Sequence, residues 1–315
     1  MVKALSTIKN FLFNSEIRFG YLTKLGFYNK LSDEKFLKRQ YQLKTGISLN
    51  LENPKTFNEK LQWYKIHYQN PLMTQCADKV KVKEYVKRCG LQEYLVENYG
   101  VFDKFSEISL DRMPDEFFLK CNNGSGLNCL IKKKNITPKI WKKLEHEFTG
   151  YLHQNYYWRN REWAYKEIKP KLLCEQYLKP EDGEPLIDLN LYYFHGQLKI
   201  IYMNVGLADG NGRHSKAQRA IFDEHLEYIP EAKTQMDNLP TDKAKLPAGT
   251  ADIVEKGRIL AEPFPFARVD FFYVNKRFHF GEITFYSAAG YVYLEPQSLY
   301  DMLGESFDIT KIRQE

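Results

Sequence analysis

FPFARVDFFYVNKRFHFGEITFYSAAG, residues 264–290, decides how the rest of the chain reads. Two aromatic, apolar runs flank Asn275, Lys276 and Arg277, and residues alternating with period two across a short polar break predict a β-hairpin. On the first strand Arg268, Asp270 and Phe272 share a face. On the second, Phe278, Phe280, Glu282 and Thr284 do. A three-residue loop, a common hairpin connection, sets Asp270 opposite Glu282 and Arg268 opposite Thr284. A two-residue loop would send the carboxylates to opposite faces, since a slip of one residue reverses every side chain. Two like charges facing each other on a sheet are destabilising. Arg268 could offset them as an ion-pair partner, and so could a hard divalent cation, which prefers carboxylate and hydroxyl oxygens. A solvated surface hairpin is the plainer alternative. Against it stand the apolar opposite faces of both strands and the Ser287–Gly290 turn that follows.

Outward from the hairpin, composition sets limits. The chain has 315 residues, enough for two or three packed subdomains. Hydrophobic residues at 43% and charged residues at 27% are ordinary for a globular protein. Aromatic content is high, with 22 Tyr and 21 Phe, which suits sheets and flat binding surfaces. The net charge of +6 is spread along the chain without a basic stripe or a recognisable module, so nucleic-acid binding is not expected and small anions are compatible. Five cysteines (Cys76, Cys89, Cys121, Cys129, Cys174) form no CxxC pair, which argues against both a disulfide framework and zinc. With no signal peptide in evidence, the expectation is a reducing cytoplasm. No apolar run approaches the roughly 20 residues that span a bilayer.

Upstream, residues 1–46 alternate apolar and basic positions at helical spacing. Val2, Leu5, Ile8, Phe11 and Leu12 would form one face, as in a helix lying on the inner membrane surface or in one docked on the protein. Thr56 and Glu59 have the spacing of a capping box opening a helix through Trp63 and Ile66. Asp78 reads as the N-cap of a further helix that ends at Gly90 and carries Lys79 and Lys83 on one face. Phe117–Cys121 is a short strand, with Lys120 inside it, running into Asn122-Asn123-Gly124-Ser125-Gly126. A small Gly-rich loop after a strand can cradle phosphate oxygens with its amides. It lacks the Lys-Ser/Thr ending and following helix of a P-loop, and NGSG is also an ordinary hairpin turn. Thr137-Pro138 opens a helix through Leu152. The segment from Asn155 to Lys169 is dense in aromatic and basic residues, either an anion- or sugar-binding surface or a packing segment. Strands follow at Leu172–Leu178, Ile187–Phe194 and Gln197–Met203, the last two joined by a turn at His195-Gly196. Residues 205–250 read mainly as loop with a strand at 219–223, and Asp252–Leu260 as a short helix.

In this order the segments resemble the ATP-grasp superfamily. The carriers are Asp78-Lys79, the FLKCN run before the Gly/Ser loop, Glu175-x-Tyr177-Leu178, Arg268-x-Asp270, and Glu282-x-Thr284. The wording TFNEKLQWYK, PLMTQCADK, LKCNNGSG, FPFARVDFF and FGEITFYSAAG is similar to the TupA-like ATP-grasp group, associated with teichuronopeptide and surface-polysaccharide biosynthesis. The resemblance runs from about Asn53 to Thr284. It implies an α+β fold in which two α+β subdomains clasp ATP, after a mostly helical N-terminal segment. The expected divisions are an N-terminal region at 1–110, a lid subdomain with the Gly-rich flap at 111–180, and a C-terminal subdomain with the metal-binding hairpin at 181–315.

The same resemblance implies roles. Lys79 and Lys120 would contact nucleotide phosphates, with Lys120 also near the adenine. Asn123, Gly124, Ser125 and Gly126 would close over the β- and γ-phosphates. Glu175 and the backbone of Gln176, Tyr177 and Leu178 would hold the adenine edge, and Asp188 the ribose. Asp270, Glu282 and Thr284 would bind Mg²⁺, with Arg268 stabilising the transferring phosphoryl group. Thr284 stands where the superfamily usually has Asn, and the group often has Lys at the position of Asn190 and His at that of Asn123. The implied cofactors are ATP and Mg²⁺, and the implied activity is that of a carboxylate–amine ligase working through an acyl phosphate. Its partners would be an acidic sugar or glycan precursor and an amine or amino acid, the sugar expected near 156–166 and the loop after Asn204. Rival readings are a sugar kinase or other phosphotransferase, a glycosyltransferase, and a non-catalytic nucleotide-binding subunit.

Overall fold

The structure, a computed structural model, describes residues 14–124, 126–181, 184–206 and 217–312. The proposed membrane-facing residues Val2, Leu5, Ile8, Phe11 and Leu12 lie outside them, as do Ser125 and most of the loop after Asn204.

Two sheets carry the fold. The smaller has four strands, β1 (Asn98–Phe102), β2 (Glu116–Cys121), β3 (Asn128–Lys132) and β4 (Leu172–Gln176), in the order β1-β4-β2-β3. Along β2 burial alternates strictly: Phe117, Leu119 and Cys121 point into the core while Phe118 and Lys120 take the other face. Helix Pro138–Leu152, capped by Thr137 with Pro138 at its first position, covers the buried face and packs Leu144 and Phe148 into it. β1 joins this sheet from ahead of the expected boundary at 110, and its NYGVF sequence has no clean alternation to announce a strand.

The larger sheet comprises β5 (Ile187–Phe194), β6 (Gln197–Val205), β7 (Gln218–Asp223), β8 (Asp237–Asn238), β9 (Phe266–Val274) and β10 (Arg277–Thr284), in the order β10-β9-β5-β6-β7-β8. His195 and Gly196, both at positive φ (48° and 77°), form the tight turn between β5 and β6. Helices Phe57–His67 and Thr250–Ala261 pack on this sheet, and the capping box of Thr56 and Glu59 forms as expected. The N-terminal helices do not build a core of their own. Phe57, for example, meets the rings of Phe194 and Phe266 at 5.5 and 5.2 Å, so the N-terminal region and the large sheet share one apolar core. The small sheet has a second, separate core.

Two local expectations are corrected. The helix opened by Asp78 starts only at Val82; Asp78–Lys81 is a turn in which the Asp78 carboxylate accepts from the amides of Val80 and Lys81. Lys79 therefore projects from a turn and does not share a helix face with Lys83. The second correction is the hairpin loop. Asn275 and Lys276 alone make the turn, both at positive φ (50° and 60°), and Arg277 already pairs with Val274. The pairing of Asp270 with Glu282 and of Arg268 with Thr284 survives because a bulge lies between Phe280 and Glu282. An extra residue there opposes a single partner and restores the carboxylates to facing positions. Phe278 and Phe280 leave the row of Glu282 and pair with Tyr273 and Phe271.

Candidate active site

The two sheets enclose a cleft of about 420 Å³. Each wall follows from strand alternation. From the small sheet come Lys120 on β2 and Glu175 on β4, with Gln176, Tyr177 and Leu178 beyond it; from the large sheet come Asp188, Arg268, Asp270 and Glu282. Lys79 enters from its turn, and Gly126 from the end of the Gly-rich loop.

At one end the hairpin carboxylates are bound to cations. Arg268 grips Asp270 with both arms of its guanidinium, Nε to Oδ1 at 2.7 Å and a terminal nitrogen to Oδ2 at 2.5 Å, and the same nitrogen reaches Glu282 Oε1 at 3.1 Å. Lys79 Nζ contacts Glu282 Oε2 at 3.2 Å and donates to the carbonyl of Gly124 at 2.8 Å. Thr284 Oγ1 donates to Glu282 Oε1 at 3.1 Å. Burial raises Asp270, only 4% exposed, to about 7 in spite of Arg268. Burial pushes Glu282 the same way, but Lys79 and Arg268 outweigh it and hold that carboxyl at about 2. The two facing acids thus differ in proton affinity because one has two cations and the other one.

At the other end Lys120 bonds Glu175 Oε1, and Lys83 approaches Oε2 at 3.5 Å. Glu175 is 8% exposed; burial would raise it, yet the two lysines bring it below the usual carboxylate range. Lys83 is lowered, chiefly by burial. Gln176 donates its amide to the Glu97 carbonyl (2.9 Å). Asp188, on the central strand β5, accepts from Asn190 (3.0 Å) and Asn204 (3.3 Å), and burial raises it to about 6.

In the Gly-rich loop, Asn123 is buried and its Oδ1 has no partner among the described residues. Gly124 sits at φ 73° against the Tyr156 ring, where a Cβ would come within 2.2 Å of a ring carbon. Part of the aromatic-basic segment is packed into the protein. Arg161 is buried, donates to the Tyr28 carbonyl at 2.7 Å and lies over the Trp158 ring, while Tyr157 donates to Asp33.

The donor set suits a hard cation shared with phosphate. Among the described residues no group of three or more His, Cys, Asp and Glu side chains forms a metal site. Two facing carboxylates with an adjacent hydroxyl match Mg²⁺, which takes few protein ligands and completes its shell with phosphate oxygens and water. Lysines stand at both ends of the cleft, each held on a carboxylate.

Five contributors have no role assigned from the sequence. Lys83 was visible as a lysine, but its contact with Glu175 arises 92 residues away in the chain. Asn190 and Asn204 stood at inward positions of apolar strands, a signal that buried polar side chains have partners. Gln62 and Lys65 hold the turn after the hairpin: Lys65 Nζ donates to the Ala289 carbonyl at 2.8 Å and Gln62 Nε2 to that of Gly290 at 2.9 Å. Ala288 and Ala289 there adopt positive φ (48° and 54°).

No curated protein sequence matches the chain. Among solved structures it is similar to an L-amino acid ligase from Bacillus licheniformis, at 10% identity and a TM-score of 0.44, over 82% of this chain and 57% of that one. It is similar to a D-alanine–D-alanine ligase from Bacillus anthracis at 14% identity and a TM-score of 0.42, over 93% of each chain. The ATP-grasp ligase PsnB, solved with a precursor variant, Mg and ADP, matches at 10% identity and a TM-score of 0.40, over 90% of this chain and 73% of that one. The chain thus spans little more than half the length of the L-amino acid ligase. The family description TupA-like ATPgrasp matches residues 59–308, most of the chain and every element of the cleft. The chain belongs to the TupA-like ATP-grasp family.

Proposed function

We propose that the protein is an ATP- and Mg²⁺-dependent carboxylate–amine ligase that joins an amine, such as that of an amino acid, to a uronic-acid-type carboxylate in surface-polysaccharide biosynthesis. The observation that carries this reading is the convergence in one cleft of the facing Asp270–Glu282 pair, Arg268 and Lys79 at one end with Lys120 and Glu175 at the other.

An oxygen of the acceptor carboxylate attacks the terminal phosphorus of ATP, the bond to the bridging oxygen breaks, and ADP leaves an acyl phosphate behind. The amine then attacks the acyl carbon, phosphate departs with the bonding pair, and loss of the amine proton leaves an amide. Arg268 would stand where charge develops on the transferring group, and preorganised donors are most effective at such a point. Lys79 and Lys120 would exchange their carboxylate partners for phosphate oxygens as the nucleotide enters. Asp270, Glu282 and Thr284 would hold Mg²⁺, which when bound neutralises phosphate charge and fixes its orientation. Asp188, already oriented by Asn190 and Asn204, can accept from a ribose hydroxyl.

The test is product analysis by mass spectrometry with ATP, candidate amino acids and uronate-containing sugars. ADP and free phosphate should appear only when both co-substrates are present, together with an amide product. ATP consumed without release of phosphate would identify a phosphotransferase instead. Unchanged turnover in Glu282→Ala would overturn the assignment of the metal ligands.

A further inference from the structure

A second cavity, of about 540 Å³, opens beside the nucleotide cleft and shares Arg268 with it. Its floor is the same face of the large sheet, continued across β5 and β6 to β7, where Arg219 stands. Arg219 is positioned by its neighbours: Nε donates to Asn204 Oδ1 at 2.7 Å, one terminal nitrogen to Thr234 Oγ1 at 3.4 Å, and the guanidinium lies 4.5 Å from the centre of the Tyr202 ring. Asn204 also bonds Asn190 and Asp188, so one polar chain runs from the nucleotide wall to Arg219.

This arginine has no acidic partner among the described residues. Arg268, by contrast, is engaged by Asp270 and Glu282. Asp237, the acid on the cavity wall, is exposed and forms no ion pair with the described residues. Beside Arg219, the buried hydroxyl of Tyr202 has no hydrogen-bond partner among the described residues. A buried hydroxyl without a partner costs free energy, and a ligand oxygen would supply one. Burial holds the Tyr202 phenol protonated, so it acts as a donor. Free guanidinium N–H groups, which can only donate, next to a hydroxyl that can donate match carboxylate or phosphate oxygens.

We propose that this cavity receives a co-substrate bearing an anionic group, carboxylate or phosphate, additional to the group that reacts, and that Arg219 and Tyr202 bind that anion. Arg219 lies three strands from the strand of Arg268 and Asp270, roughly 14 Å across the sheet. The anchored anion is therefore not the one that undergoes phosphoryl transfer. This assignment rests on the ligase reading of the neighbouring cleft.

Ligand-observed NMR tests it with three probes on the full chain: D-glucuronate, which carries a carboxylate, glucose 6-phosphate, which carries a phosphate, and D-glucose, which carries neither. Dissociation constants are measured with and without saturating ADP and Mg²⁺. At least one charged probe should bind ten-fold or more tightly than D-glucose, and which one does so distinguishes the two sources of charge. Arg219→Gln should abolish the preference, Arg219→Lys should retain part of it, and Tyr202→Phe should weaken the favoured probe about three- to ten-fold. The proposal is overturned if neither charged probe outbinds D-glucose, or if the preference survives in Arg219→Gln. ADP titration of the same samples separates the two readings. Failure of the wild type to bind ADP with Mg²⁺ counts against the nucleotide site, whereas a wild type that binds ADP and Mg²⁺ but shows no anion preference counts against the Arg219 site alone. Saturable ADP binding by Arg219→Gln also shows that the variant is folded.

Discussion

Glu282 faces Asp270 across adjoining strands although the turn between those strands has only two residues, because Gly281 sits in a bulge just ahead of Glu282. The insertion brings two acids onto one side of the sheet, where Arg268 touches both. A Cβ on Gly281 would stand 3.0 Å from the Asp270 carbonyl oxygen and 3.2 Å from the Phe272 ring. Backbone cannot yield as a flexible side chain does, so Gly281→Val should lower stability by about 1–3 kcal/mol. It should also reduce Mg²⁺-dependent turnover at temperatures where the variant is still folded. Urea denaturation and steady-state kinetics measure the two effects, and a variant unchanged in both would show that the bulge tolerates a side chain.

Arg268→Lys keeps the charge but loses the planar fork that spans Asp270 and Glu282. If Arg268 steadies the transferring phosphoryl group, kcat should fall by about 10²–10³-fold, the size seen when a single preorganised donor is removed. A fall of less than three-fold in ADP release would place the residue in a structural role only.

Asp188 gives a pH signature. Its carboxyl is raised from the ordinary 3.8 to about 6 by burial, so the folded protein holds that proton more tightly than the unfolded chain does. The stability it confers is complete below pH 3.8 and is lost as pH rises through about 6. The rise from 3.8 to about 6 corresponds to about 3 kcal/mol. Asp188→Asn removes this term, so its stability relative to wild type should improve by about that amount between pH 4 and pH 7. Chemical denaturation of both proteins at the two pH values gives the difference, and a flat difference would refute the shift.

Glu175 has the opposite sign. With its carboxyl held low against burial by Lys120 and Lys83, its contribution is present above the usual carboxylate range and is lost as pH falls through the lowered value. Glu175→Gln should cost about 1–3 kcal/mol at pH 7, since it leaves two half-buried lysines without their acid. The gap from wild type should close in acid. Thermal unfolding from pH 3 to 7 follows it, and a gap that widens toward low pH would reverse the assignment.

Much of the fold was legible from local chemistry. Thr56 and Glu59 announce their helix because the capping box is closed by residues three apart. The alternating runs of β5, β6 and β9 announce strands because one face of each carries large apolar side chains. β1 was not legible, since Gly100 interrupts its pattern and its place depends on β4, more than seventy residues later. The helix start at Val82 was misplaced because Asp78 caps a turn as readily as a helix, the same side-chain oxygen serving either backbone.

For the carboxylate pair, the sequence by itself determined that Asp270, Glu282 and Arg268 belong to one hairpin, and the order of motifs around it determined the family. Tertiary structure decided the rest. The bulge at Gly281 depends on how β10 lies along β9, and the contacts of Lys79 with Glu282 and of Lys83 with Glu175 join residues 203 and 92 positions apart. Arg219 acquires its meaning only from the sheet, which lays Tyr202 and Asn204 beside it and leaves it without an acid among the described residues. Local patterns fix backbone conformation because neighbouring residues set it. Which charges meet is fixed by packing, because Coulomb and hydrogen-bond partners are chosen by distance in space and not along the chain.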